Sequence, residues 1–263
     1  MTITRRVRVL VAGCAGAALL SGGAAPAAAI SGGEEATGAY PFMASLQQRA
    51  DGEHFCGGTL VAPQWILTAK HCLVDGEGER TDPTSITVRL GSNDRTQGGE
   101  VRHGERIEAS AGGEIYGQDV ALLRLDAPVT ATPAALPSTE LEPGEEVRAL
   151  GWGSHELPEN PGDPWPPLPE RLRQLDTSIL DPDRCPGLSG EPMADNELCM
   201  SSLPGEGKWP QTTRTGDSGG PLLTQVDGEW TVHGTCSRGV PDQHGIFGSV
   251  HDSREWILSM IGG

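Results

Sequence analysis

Beyond its first thirty residues, this chain never lets an apolar run go far before a turn former stops it. The runs "TLVAPQWILTA", "SITVRL", "VALLRL" and "EVRALGW" are bounded by Gly, Pro, Asp and Asn, and the 263 residues include 37 Gly and 21 Pro. Short apolar segments set between turn signals read as strands. The pattern predicts an all-β protein, long enough for one large β-domain or two small ones. No internal repeat is visible.

The first residues follow another logic. Arg5, Arg6 and Arg8 precede the apolar run Val9 to Leu20, and small residues follow, ending in Ala27-Ala28-Ala29. This is the layout of a secretory signal with an Ala-x-Ala cleavage site, over residues 1–29. Arg5-Arg6 suits a twin-arginine signal or the basic start of any export signal. The apolar run is too short to span a membrane. An exported, extracellular protein is expected. Residues 1–29 carry three Arg and no acid, so their removal takes the net charge from −17 to −20. Such acidity disfavours nucleic acid and anionic membranes as partners. The acidic run "DGEGERTD" is read as a solvated loop rather than a calcium site.

Chemistry concentrates around "TTRTGDSGGPLL". A serine between glycines marks by itself only a turn. A serine hydroxyl becomes a nucleophile when a base lies within hydrogen-bond reach and an acid orients that base. Ser218 therefore asks for a His and an Asp. His71, in "WILTAKHC", follows a strand-like run and sits beside Cys72. A bridge from Cys72 to Cys56 would close a hairpin under His71, contributing about 3 kcal/mol on the chain-entropy model. Asp119 opens the run "DVALLRL". Burial there requires hydrogen-bond partners for its carboxylate, and a His ring can supply one.

With His71, Asp119 and Ser218 in that order, the chain resembles the chymotrypsin/trypsin-like serine protease family, in a secreted bacterial-type form. "ISGGEEATGAYPFMASL", "HFCGGTLVAPQWILTAKHC", "QDVALLRL", "ALGWG", "TGDSGGPLL" and "EWILSMI" resemble its successive segments along the whole mature chain. The resemblance implies two six-stranded antiparallel β-barrels and a short C-terminal helix. It places an N-terminal barrel at 30–137 and a C-terminal barrel with the helix at 138–263. The seam falls near "PAALPSTELEPG". Asp252 to Glu255 has capping-box spacing for the helix, with Trp256, Ile257 and Met260 on one apolar face.

The family mechanism, which is the general worked template for such triads, assigns the roles. Ser218 is the nucleophile, His71 the general base and acid, and Asp119 the residue that orients it. The amides of Gly216 and Ser218 form the oxyanion hole. The ammonium of Ile30, freed by cleavage, pairs with Asp217. Cys56 pairs with Cys72, and Cys185 with Cys199, which leaves Cys236 as an odd, buried thiol. Thr212 resembles the floor of the specificity pocket, with Thr213, Ser237, Gly239 and Gly245 around it. An uncharged floor implies a non-basic, apolar preference before the cut. The alternative is an acidic preference, served by the threonine hydroxyls with Arg214, Arg238 or His244.

The chain also departs from the family pattern. Lys70 stands where a small residue is usual and is expected to reach solvent. Arg238 stands where an aromatic platform is expected, and Arg214 replaces a pocket cysteine. These departures keep open a protease-like binding protein without catalysis. The resemblance implies no cofactor and no metal. It implies protein or peptide substrates, a protein inhibitor as a further partner, and a monomer.

Overall fold

The computed structural model describes residues 30, 33–110, 117–156, 163–164, 166–187, 190–204, 210–240 and 243–262. The expected signal over 1–29, and with it the cleavage site, lies outside these residues.

The strands run in chain order β1 Glu34–Glu35, β2 Met43–Gln48, β3 His54–Ala62, β4 Trp65–Thr68, β5 Ile86–Leu90, β6 Glu100–Ala109 and β7 Ala121–Leu125. There follow β8 Glu146–Gly151, β9 Arg173–Ser178, β10 Glu197–Ser201, β11 Pro221–Val226, β12 Glu229–Val240 and β13 His244–Ser249, then the helix α1 Val250–Ile261. All named pairings are antiparallel. Strands β2 to β7 close a barrel in the order β2-β3-β4-β7-β6-β5, with β5 returning to β2. The second sheet has the order β1-β9-β8-β11-β12-β13-β10. It curls until Ile179, just past β9, bridges Met200 on β10. The all-β, two-barrel expectation holds, with β1 as an added edge strand on the second barrel.

Local chemistry explains the elements. In β5 the residues Ile86, Val88 and Leu90 are buried while Thr87 and Arg89 between them are half-buried, the period-two signature of a barrel wall. The β11–β12 hairpin turns at Asp227-Gly228, both at positive φ (52° and 84°). That is the two-residue turn whose twist matches its strands. The seam segment touches both barrels: Ala134 N donates to Leu60 O, and Ala135 N to Trp230 O.

The helix begins earlier than its expected capping box. Ser249 is the N-cap, its side chain accepting from Asp252 N, so Asp252 lies in the first turn, where its charge favours the helix dipole. Ile257 is buried, and Trp256 and Met260 pack against the same cluster. That cluster is built mainly from the first barrel, so the helix packs against the barrel distant from it in sequence.

Candidate active site

The site forms where the ends of β4, β7 and β12 meet the turn before β11. A 3₁₀ turn at Lys70–Cys72 follows β4 and carries His71. Cys72 is bridged to Cys56 on β3, and Cys185 to Cys199 on β10, both as expected. Asp119, fully buried, accepts from the His71 amide at 3.0 Å through one carboxylate oxygen. The other oxygen meets His71 Nδ1 at 2.7 Å and accepts from Ser237 Oγ at 2.6 Å. Thr235 Oγ1 donates to the Asp119 carbonyl at 2.9 Å. Burial acts to raise the Asp119 pKa. The bonds and charge of His71, together with the Ser237 hydroxyl, outweigh it and hold the carboxyl below its usual value. Asp119 therefore stays ionised and accepts from His71 Nδ1, which fixes the orientation of the ring.

Ser218 arrives on a loop pinned to the first barrel. Gly57 N on β3 donates to Ser218 O at 2.7 Å, and Gly219 N donates to Cys236 O at 2.7 Å. Gly219, at φ +74°, leaves no room for a side chain: a Cβ would lie 2.1 Å from Thr68 Oγ1 and 3.0 Å from Ala69 N. The loop that carries Ser218 is thus laid directly on the segment that ends in His71. Among the described residues no hydrogen bond joins Ser218 Oγ to His71 Nε2. Without substrate such contacts are commonly loose and tighten on binding.

Gly216, at φ +95°, and Ser218 donate their amides to no protein group among the described residues, so two N–H groups of one tight loop remain available to an anion. A further residue braces this loop, and its role was not read from the sequence. His54 is buried; its Nε2 donates to Gly216 O at 2.9 Å and its Nδ1 accepts from Ser45 Oγ at 2.8 Å. Burial pushes its pKa down to about 4, the Gly216 bond opposing and Arg95 assisting. Neutral His54 supplies the one donor the Gly216 carbonyl needs. Its place at the head of "HFCGG" was the available signal.

Asp217 is buried behind the loop. Its oxygens accept from Gly153 N and Arg214 N, each at 2.8 Å. Burial dominates and raises its pKa to about 7, against the lowering by these two amides and by the Arg214 charge. Ile30 is fully buried in the second-barrel cluster with Val147, Ala149 and Leu222. In the uncut chain its nitrogen is a peptide amide, so the expected Ile30–Asp217 ion pair is not made here.

A cavity of about 280 Å³ opens beside Ser218, lined by Thr212, Thr213, Ser237, Arg238 and Gly239 among others. Gly245 pairs with Gly239 across β12 and β13, and a Cβ on it would come within 2.8 Å of Thr213 Oγ1. The expected pocket residues therefore converge. Cys236 is a buried free thiol in the same wall, its pKa raised by burial. Lys70 corrects an expectation. It is buried, because the 3₁₀ turn aims it inward, and Nζ donates to Ser110 O at 3.2 Å at the end of β6.

Comparison with known proteins agrees with this architecture. A family model described as Trypsin matches residues 29–257. The chain is 33% identical over 248 residues to brachyurin of Leptuca pugilator, covering 87% of this chain and 96% of that protein. By fold, site layout and these matches, the chain belongs to the trypsin family and is a chymotrypsin-like serine endopeptidase.

Proposed function

We propose that this protease is secreted after removal of residues 1–29, folds as barrels over 30–137 and 138–263, and works as a monomer on protein or peptide substrates. In this reading Ser218 attacks the scissile carbonyl and His71 takes its proton. Asp119 holds the imidazolium, and the Gly216 and Ser218 amides receive the oxyanion. His71 then protonates the leaving amine, and water repeats the sequence on the acyl-enzyme. The observation that carries the reading is the wholly buried Asp119 carboxylate, bonded to His71 through both oxygens, beside the loop that bears Ser218. The folded Ser218→Ala variant should lose on the order of 10⁶ in kcat, by analogy with subtilisin. A serine-directed phosphonofluoridate should label the parent and not the variant. Peptide hydrolysis by Ser218→Ala near the parent rate would overturn the assignment.

The residue before the cut is proposed to be uncharged and apolar. No acidic side chain lines the cavity among the described residues, and the Thr212 hydroxyl on its wall is neutral. The acidic alternative has Arg214 and Arg238 on the cavity wall. His244 Nε2 is held by Pro186 O at 2.8 Å, and Arg238 is bound to Glu197. On peptides matched except at that residue, Arg and Lys should be cut at least about tenfold more slowly than an apolar residue. A dominant rate after Arg or Lys would refute the pocket assignment, and a dominant rate after Glu would promote the acidic alternative.

A further inference from the structure

Arg238, the residue that stands where an aromatic platform is expected, does not act alone. Its guanidinium makes a two-pronged contact with Glu197 at the start of β10, NH1 to Oε1 at 2.5 Å and NH2 to Oε2 at 2.9 Å. Both side chains are largely withdrawn from solvent, at 11% and 1% exposure. Each Glu197 oxygen also accepts a backbone amide: Oε1 from Gly117 at 2.8 Å, Oε2 from Ala194 at 3.1 Å. Burial acts to raise the Glu197 pKa, but Arg238 and these amides hold it below the usual value, so the carboxylate is charged.

The Gly117 bond leads to the site. Gly117 O accepts from Asp119 N at 3.0 Å, closing the tight turn from which Asp119 rises. Gly117 has φ +89°, and a Cβ there would lie 2.7 Å from Asn196 Oδ1, so the turn is fitted against the residue preceding Glu197. Strand β12 therefore holds Asp119 in three ways. Thr235 takes its carbonyl, Ser237 its carboxylate, and Arg238, through Glu197, the turn two residues before it.

We propose that the Glu197–Arg238 pair is a positioning device for Asp119: Glu197 fixes the Gly117 turn, and Arg238 fixes Glu197. The proposal rests on the reading of Asp119 as the residue that orients His71. A buried ion pair is by itself a weak source of stability, since apolar residues of like volume often serve as well. What apolar residues cannot supply is an acceptor for two amides at once. A carboxylate has that capacity and needs a cation beside it when buried.

The test compares parent, Glu197→Gln, Glu197→Leu, Arg238→Leu and the swapped pair Glu197→Arg with Arg238→Glu. The readouts are kcat and KM on a single-residue ester, the downfield proton resonance of His71 Nδ1, and the thermal midpoint. In folded Glu197→Leu, kcat should fall by on the order of 10²-fold, the cost of a small misplacement in an active site. KM should hold and the His71 proton should move upfield. Glu197→Gln, which keeps one acceptor oxygen, should lie between parent and Glu197→Leu. The swapped pair should not recover kcat, because a guanidinium at 197 accepts no hydrogen bond. If Glu197→Leu stays within about twofold of parent in kcat with an unmoved resonance, the proposal is wrong. Full recovery in the swapped pair would also overturn it, leaving only a role in holding the fold. A parent that resists phosphonofluoridate would refute the proposed nucleophile instead, and the resonance would still decide the positioning of His71.

Discussion

Two aspartates, 119 and 217, lie on either side of the same serine loop, and both are buried. Asp119 is held below its usual pKa, whereas Asp217 is raised to about 7. Burial acts in the same direction on both, so the opposite outcomes depend on how far the partners of each offset it. Asp119 has an imidazole and a hydroxyl as partners as well as an amide. Asp217 has two amides, and the Arg214 charge only partly offsets its desolvation. A buried carboxylate takes its charge state from its partners, and Asp217 has fewer of them than Asp119.

The comparison can be broken most severely at Asp119. Asp119→Asn keeps the shape and removes the charge, and the triad template gives a fall of about 10⁴ in kcat. Steady-state kinetics on folded variant protein checks this. A loss under tenfold would mean that the ionised partner contributes little to turnover.

The Asp217 side is expected to respond to processing and to pH. Its pKa in the uncut chain, about 7, lies above the ordinary carboxylate value of 3.8. Between those values the native state holds a proton that the unfolded state has released, so stability falls as pH rises from about 4 to 7, by roughly 4 kcal/mol. A free Ile30 ammonium reaching Asp217 would remove this slope by keeping the carboxylate ionised. Protein beginning at Ile30 should therefore show a flatter stability profile than protein retaining Ala28-Ala29, and should be the active form. Denaturant titrations across this range, with N-termini verified by mass spectrometry, compare the two. Parallel profiles and equal turnover would dismiss the Ile30–Asp217 pair as the control point.

The smallest expected effect sharpens the contrast. Ser237→Ala removes one of Asp119's donors and moves it part of the way toward the condition of Asp217. One hydrogen bond to a charged group is worth about 1.5 kcal/mol or more, so kcat/KM should fall by about tenfold. An unchanged value would show that His71 alone orders the carboxylate.

How much of this was legible in the sequence follows the range of the physics involved. His71, Asp119 and Ser218 sit in short segments whose residue types announce their chemistry, and the strand pattern announced the barrels. Glu197 and Gly117 could not be read this way. Each is an ordinary residue in its own segment, and they matter because the fold brings positions 80 apart into contact. Lys70 was misjudged because its direction depends on a 3₁₀ turn, and the helix cap because Ser249 also ends β13, so that strand and helix meet without a loop. His54 lay in plain view within a motif, but its function depends on a carbonyl 162 residues away.

The exchange of chain ends between the barrels ties the two halves of the chain together. β1 at the start pairs with β9, and α1 at the end contributes Val250 and Ile257 to the cluster of the first barrel. During synthesis the first six barrel strands emerge early, yet two buried members of their apolar cluster, Val250 and Ile257, are made last. The nascent N-terminal half must wait, incompletely covered, until nearly the whole chain is available. Contacts of such long sequence separation slow folding and prolong the exposure of apolar surface. A chain cut short before α1 would leave this cluster uncovered where Val250 and Ile257 now pack.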